Sequence, residues 1–232
     1  MAANRNLLAA AAACAVAVVG ITGCNDDGDK DPFKGMSADK IAQKAIAASK
    51  GAGSFKVSGT GDENGKPVKV DFAVAESNDC QGKTGSPTTG TGEIIVVGGT
   101  SYIKGDDKFW ENATRGSSVG DKIKGRWMKS PDGQQSKTCD KDVMFESTSL
   151  KGLKRGKDAE VDGEKAAVLT KKKNGRTLTY YVAMDGKPYF LQIDKKDSDG
   201  PAKMSFSDYG SPVTVKAPPA GQVVEQKDLM GS

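Results

Sequence analysis

Six dipeptides punctuate this chain: Asn64-Gly65, Gly98-Gly99, Asp162-Gly163, Asn174-Gly175, Asp185-Gly186 and Asp199-Gly200. A two-residue hairpin needs positive φ at its central positions, which glycine adopts freely and Asn or Asp adopt best among the rest. Each dipeptide therefore marks a place where a strand can turn back on its neighbour. The last four fall 11 to 14 residues apart, which predicts a continuous meander from about residue 157 to 208. Between the turns the apolar period is two. Val68, Val70, Phe72 and Val74 alternate with Lys69, Asp71, Ala73 and Ala75, and Leu178, Tyr180 and Val182 with Thr177, Thr179 and Tyr181. Tyr189, Leu191 and Ile193 alternate with Phe190, Gln192 and Asp194. Such patterns belong to antiparallel strands with one buried face.

One segment ahead of these strands has the other period. Ser37 precedes ADKIAQKAIAASKG and has the chemistry of an N-cap, with Asp39 in the first turn and Gly51 as the stop. Met36 and Ile41 are spaced as a hydrophobic staple. Ile41, Ala42, Ala45, Ile46 and Ala48 make a narrow, alanine-rich stripe suited to close packing on a sheet. Residues 81–92, rich in Gly, Ser, Thr and Pro, read as a loop, and 140–153 as a stretch containing a short helix that bears Val143, Met144, Phe145 and Leu150. Lys171 to Lys173 read as a strand end entering a turn. The expectation is an α+β fold, with helices on one face of a large antiparallel sheet.

The N-terminus decides location. Leu7 to Val19 is an unbroken apolar run behind a single basic side chain, Arg5. It is too short to span a bilayer, which takes about 20 residues, and suits the core of an export signal. It leads into Ile21-Thr22-Gly23-Cys24, which resembles the bacterial lipobox, whose cysteine is lipidated and becomes the first mature residue. The resemblance implies a diacylglyceryl group on Cys24 and a place on the outer face of the cytoplasmic membrane. The domain reading is then a signal peptide over 1–23, an acidic tether over 24–35, one domain over 36–226 and a tail over 227–232. Removing 1–23 takes away one charged side chain, so the net charge of +4 falls to +3. With lysines scattered among acids, that balance argues against a nucleic-acid partner.

The chain has no histidine. Serine and cysteine triads, HExxH zinc sites and other histidine-ligated metals are excluded. Ser37 to Lys40 fits SxxK and Lys83 to Gly85 fits KTG, but the SxN element is missing and the two lie too close together for a Ser-Lys enzyme. No catalytic group, metal site or cofactor is implied. Once Cys14 leaves with the signal and Cys24 carries lipid, Cys80 and Cys139 remain, a lone pair that forms a disulfide outside the cytoplasm.

Several stretches together resemble a family. The lipobox, the acidic tether and the Ala-rich helix come first, followed by a strand ending in Asp79-Cys80-Gln81-Gly82. Then follow EIIVVGGTSYIKGDDKFW (93–110), GRWMKS (125–130), Cys139 opening a helix, and FSDYGSPVTVKAPPAGQVV (206–224). They are similar to actinobacterial envelope lipoproteins of the LppX/LprG type, and cover nearly the whole mature chain. The resemblance implies a LolA-like half-barrel, a curved antiparallel sheet wrapping the first helix and a helical insert, with room for acyl chains of a lipid or lipoglycan. Val70, Phe72, Tyr180, Val182, Tyr189, Leu191, Trp110 and Trp127 are the candidate lining, or else ordinary core. Two functions stay open: a non-enzymatic carrier of a hydrophobic ligand, and an anchored adaptor for cell-wall polymer or a partner protein. An unfilled apolar space between sheet and helices favours the first, a fully packed interface the second.

Overall fold

The computed structural model describes residues 31–63, 65–115, 122–131, 136–146, 150–198 and 200–230. The lipobox with Cys24, and the turn residues Asn64 and Asp199, lie outside them. Thirteen strands form one open sheet, almost entirely antiparallel, in an α+β half-barrel. Helix α1 (Ala38–Lys50) comes first, followed by β1 (Phe55–Glu63), β2 (Lys66–Val74), β3 (Cys80–Ser86), β4 (Gly90–Val97) and β5 (Thr100–Gly105). Helix α2 (Asp107–Ala113), β6 (Trp127–Lys129) and helix α3 (Lys141–Glu146) make the insert. The second half is β7 (Lys154–Arg155), β8 (Ala159–Val161), β9 (Glu164–Lys173), β10 (Arg176–Ala183), β11 (Phe190–Asp197) and β12 (Gly200–Ser207). The chain closes with β13 (Val223–Glu225) and helix α4 (Gln226–Met230). Across the sheet β6, β5, β4, β3, β2 and β1 run in order, β12, β11, β10 and β9 follow beside β1, and β13 adds in parallel to β6.

The turn chemistry holds at most of the dipeptides that can be seen. Asp162-Gly163 and Asn174-Gly175 both carry positive φ at both positions, 50° and 87° in the first, 50° and 75° in the second. Asp185-Gly186 does not make a tight turn: β10 stops at Ala183 and β11 starts at Phe190, with Ala183 N–H donating to Tyr189 O across the wider loop.

Residues 81–92 are not a loop but most of the β3–β4 hairpin. Their small side chains fit neighbouring aromatics. A Cβ on Gly82 would stand 2.5 Å from Phe72 Cδ1, and one on Gly92 2.7 Å from Phe109 Cε2, so both glycines let a ring lie flat against the strand. Ser86 Oγ accepts the amides of Thr88 and Thr89 at 3.2 and 3.1 Å and fixes the turn.

Ser37 caps α1 as expected, its Oγ accepting Lys40 N–H at 3.3 Å. The buried stripe is Ala38, Ile41, Ala42, Ala45 and Ser49, so a polar residue replaces the expected Ala48. The domain also begins earlier than residue 36. Phe33 is buried, its amide donates to the Asp31 carboxylate at 2.9 Å, and the Arg155 guanidinium lies over its ring. At the other end Leu229, placed in the expected tail, is buried in α4 against Trp110 and Ile123.

The core lies between the sheet and helices α1 and α3. Ala42 and Ala45 are fully buried, which lets α1 approach the sheet closely. Phe145 of α3 fills the centre, its ring centroid 5.5 Å from Phe55, 5.6 Å from Phe206 and 6.1 Å from Phe190. Such aromatic pairs add about 0.5–1.5 kcal/mol each beyond their buried area. The Cys80–Cys139 disulfide, with Cα atoms 6.0 Å apart, ties the start of β3 to the segment entering α3.

Candidate functional site

Register divides the sheet into a helix-facing side and an outer side. On the first, one row crosses Ile94, Gly82, Phe72, Val57 and Phe206, and these sit against the helices. The next row is Thr84, Val70, Gly59, Met204, Ile193, Tyr180 and Leu169. Here Val70, Met204 and Ile193 are only partly buried, as is Leu178 one row further on. Gly59 keeps the row continuous, because a Cβ there would meet Val70 Cγ2 at 3.2 Å and Met204 Cγ at 3.3 Å. Leu178 is flanked in register by Lys195 and Lys171. The inner side is thus packed shut beneath the helices and is an apolar shelf, edged by lysines, beyond them.

Tyr180 sits in this row, fully buried, and its hydroxyl has no hydrogen-bond partner among the described residues. Burial holds its pKa above the usual phenol range. A buried hydroxyl without a partner costs about 1–3 kcal/mol, so it marks a position where a polar atom of another molecule would be stabilising.

The candidate lining residues fall in different places. Val70 is on the shelf. Phe72, Tyr180 and Val182 are buried core, exposed by 8%, 0% and 0%. Tyr189 stacks on Tyr209 at 4.2 Å, outside the shelf. Leu191 changes sides. Val182 pairs with Phe190 while Tyr181 pairs with Gln192, so Leu191 is the extra residue of a β-bulge. Phe190 therefore takes the core position, and Leu191 joins Val161, Ala166 and Ala183 in a separate cluster. Trp110 is buried with Ile123 and Leu229 in a third cluster. Trp127 is buried at β6, with Lys104 Nζ 5.9 Å from its ring centroid, and borders a groove of about 500 Å³ with Ile95 and Gln81. Met204, Ile193 and Leu178, rather than the tryptophans and Leu191, share the shelf with Val70. The alternation of Ala202, Met204 and Phe206 was the signal for the first.

On the outer side a larger groove of about 770 Å³ crosses β12, β1, β2 and β3. Ser58, Thr60, Lys69, Asp71, Lys83, Lys203 and Ser205 line it, each alternating with a helix-facing neighbour. Its end is walled by Pro87, Asp106 and Lys108. Among the described residues no group of His, Cys, Asp and Glu could hold a metal ion, and no helix is long and apolar enough to cross a membrane.

An open sheet curled around two helices, with its edge strands unjoined, can be compared with solved structures. LprF from Mycobacterium bovis superposes with a TM-score of 0.56 at 16% identity, over 78% of this chain and 96% of that one. The Mycobacterium tuberculosis lipoprotein LppX gives 0.51 at 15% identity, over 77% of this chain and 98% of that one. The fold is that of the LppX and LprF lipoproteins. At these identities it is a shared architecture. No family model matches the sequence, and comparison with curated proteins finds no match.

Proposed function

We propose that the protein is a membrane-anchored envelope lipoprotein that binds a hydrophobic ligand without enzymatic chemistry, its acyl portion lying on the inner shelf. The observation that carries this is the half-open row Val70, Met204 and Ile193, with Leu178 one row further on, inside a fold shared with two mycobacterial lipoproteins. Ligand sites are mostly apolar with a few placed polar groups. Lys171 and Lys195 at the edge and the Tyr180 hydroxyl in the row are such groups, and they suit an anionic or hydroxylated headgroup. The lipobox supports an anchor at Cys24 on the outer face of the cytoplasmic membrane, and the acidic stretch behind it supports a tether.

The test is mass spectrometry of organic extracts from protein purified out of its own host's membranes. Bound acyl lipid is expected, and Val70→Trp, which fills the shelf, is expected to lower the amount recovered per folded molecule by more than half. Lipid-free protein from native membranes, with no response to fluorescent lipid probes, would overturn the reading.

A further inference from the structure

The outer groove is made by the opposite side of the same strands, and its chemistry is different. Four ammonium groups, those of Lys69, Lys83, Lys108 and Lys203, face two carboxylates, Asp71 and Asp106. Asp106 is already committed, since Oδ1 accepts Phe109 N–H at 2.7 Å and Oδ2 accepts Thr91 N–H at 2.8 Å. Lys83 pairs with Glu93 at 3.2 Å and Lys108 donates to Pro87 O. Lys69 and Lys203 are different: neither has a side-chain partner among the described residues. They stand on either side of Thr60, each in register with it, so their backbones are two strand spacings, about 10 Å, apart. One step along the strands, Ser58 lies in register with Ser205 and Asp71. Two unpaired cations flank a floor of hydroxyls.

We infer that this groove binds a linear polyanion of the phosphodiester type, with Lys69 and Lys203 contacting neighbouring phosphates and the hydroxyls of Ser58, Thr60 and Ser205 donating to their oxygens. The chemistry points this way for three reasons. Unpaired lysines over neutral hydroxyl donors fit anions that keep their charge at every physiological pH. The lining has no aromatic ring, so it lacks the stacking surface that a neutral sugar chain would use. And the site is a groove bounded by the Pro87 turn and Lys108, which accepts a chain but not the flat surface of a bilayer. The inference is independent of the ligand proposed for the inner shelf.

The test is binding of short-chain inorganic polyphosphate to the purified protein by calorimetry, at low and at raised salt. Saturable binding that weakens with salt is expected. Lys69→Ala with Lys203→Ala should weaken it about tenfold, the worth of two partly screened ion pairs. Lys157→Ala with Lys187→Ala, two exposed lysines away from the groove, should leave it unchanged. Circular dichroism checks that both double variants fold. Absence of binding, an equal loss in the control pair, or binding to phosphatidylglycerol vesicles but not to polyphosphate would each overturn the inference.

Discussion

Ser49 Oγ, in the last turn of α1, accepts the backbone N–H of Phe190 at 3.1 Å, across 141 residues of sequence. The same residue is held from its other side, where the Tyr209 hydroxyl donates to Phe190 O at 2.8 Å. Phe190 is where β11 enters the sheet ahead of the bulge, so its amide needs a partner other than the strand ladder, and the helix supplies it. Burial holds the Tyr209 pKa well above the usual phenol range, so it remains a donor at all ordinary pH.

Ser49→Ala should therefore destabilise the domain by about 1–3 kcal/mol, the cost of an unsatisfied buried amide. Chemical denaturation compares it with Ala48→Ser, one position along, which should change stability by less than about 0.5 kcal/mol. Equal effects would mean that the Phe190 amide finds another partner.

Reduction of the Cys80–Cys139 disulfide should lower the melting temperature. The bridge spans 59 residues of sequence, and the chain-entropy account gives it up to about 4 kcal/mol. Non-reducing peptide mapping should recover one cross-linked pair. Alkylation of both thiols in native, unreduced protein would show that the bridge does not form.

Asp39 links α1 to the segment entering β7, its carboxylate accepting Gly152 N–H at 3.0 Å and Leu153 N–H at 2.8 Å. These two amides hold its pKa below the ordinary carboxylate value. A carboxylate depressed in the folded state stabilises above its unfolded pKa and loses that contribution as pH falls through the folded one. The melting-temperature gap between wild type and Asp39→Asn should thus be constant from neutrality to about pH 5 and close below about pH 4. A gap that persists in acid would rule out this role.

Cys24→Ala should leave the precursor unprocessed or release it from membranes. Each buried CH₂ of an acyl chain is worth about 0.8 kcal/mol, so two chains retain a protein where one is marginal. Fractionation with mass analysis of the N-terminus decides it, and wild-type protein in the medium starting beyond Cys24 without lipid would sink the anchor.

How much of this could be read beforehand follows from how local each signal is. Ser37 capping, the Asn174-Gly175 hairpin and the alternation of β2 and β10 depend on neighbouring residues, and all appear as read. The β3–β4 hairpin was hidden because its glycines, which resemble a loop, answer to Phe72 and Phe109 elsewhere in the chain. Leu191 was placed on the wrong side because a bulge adds one residue to the count, so the alternation that holds at Ile193 fails at Leu191 and brings Phe190 inside, which a sequence period cannot register. Ser49 was overlooked for the same kind of reason: its partner is 141 residues away. The shelf was half legible, through Val70. The outer lysines looked like solvated surface until register set Lys69 and Lys203 around Thr60.

The order of strands has a kinetic meaning. From β1 to β6 and again from β9 to β12, nearly every strand lies beside one close in sequence, so each run can assemble from local hairpins. The two runs meet where β1 pairs with β12, bringing Lys56 opposite Ser207. Closing that seam costs the loop entropy of some 150 intervening residues, and non-local pairing of this kind sets the pace of folding. A chain emerging in sequence must hold β1 unpaired on one edge until β12 arrives. Meanwhile Cys80 and Cys139 are both already out, so the bridge can close within the first run and keep α3 at hand before the second run is complete.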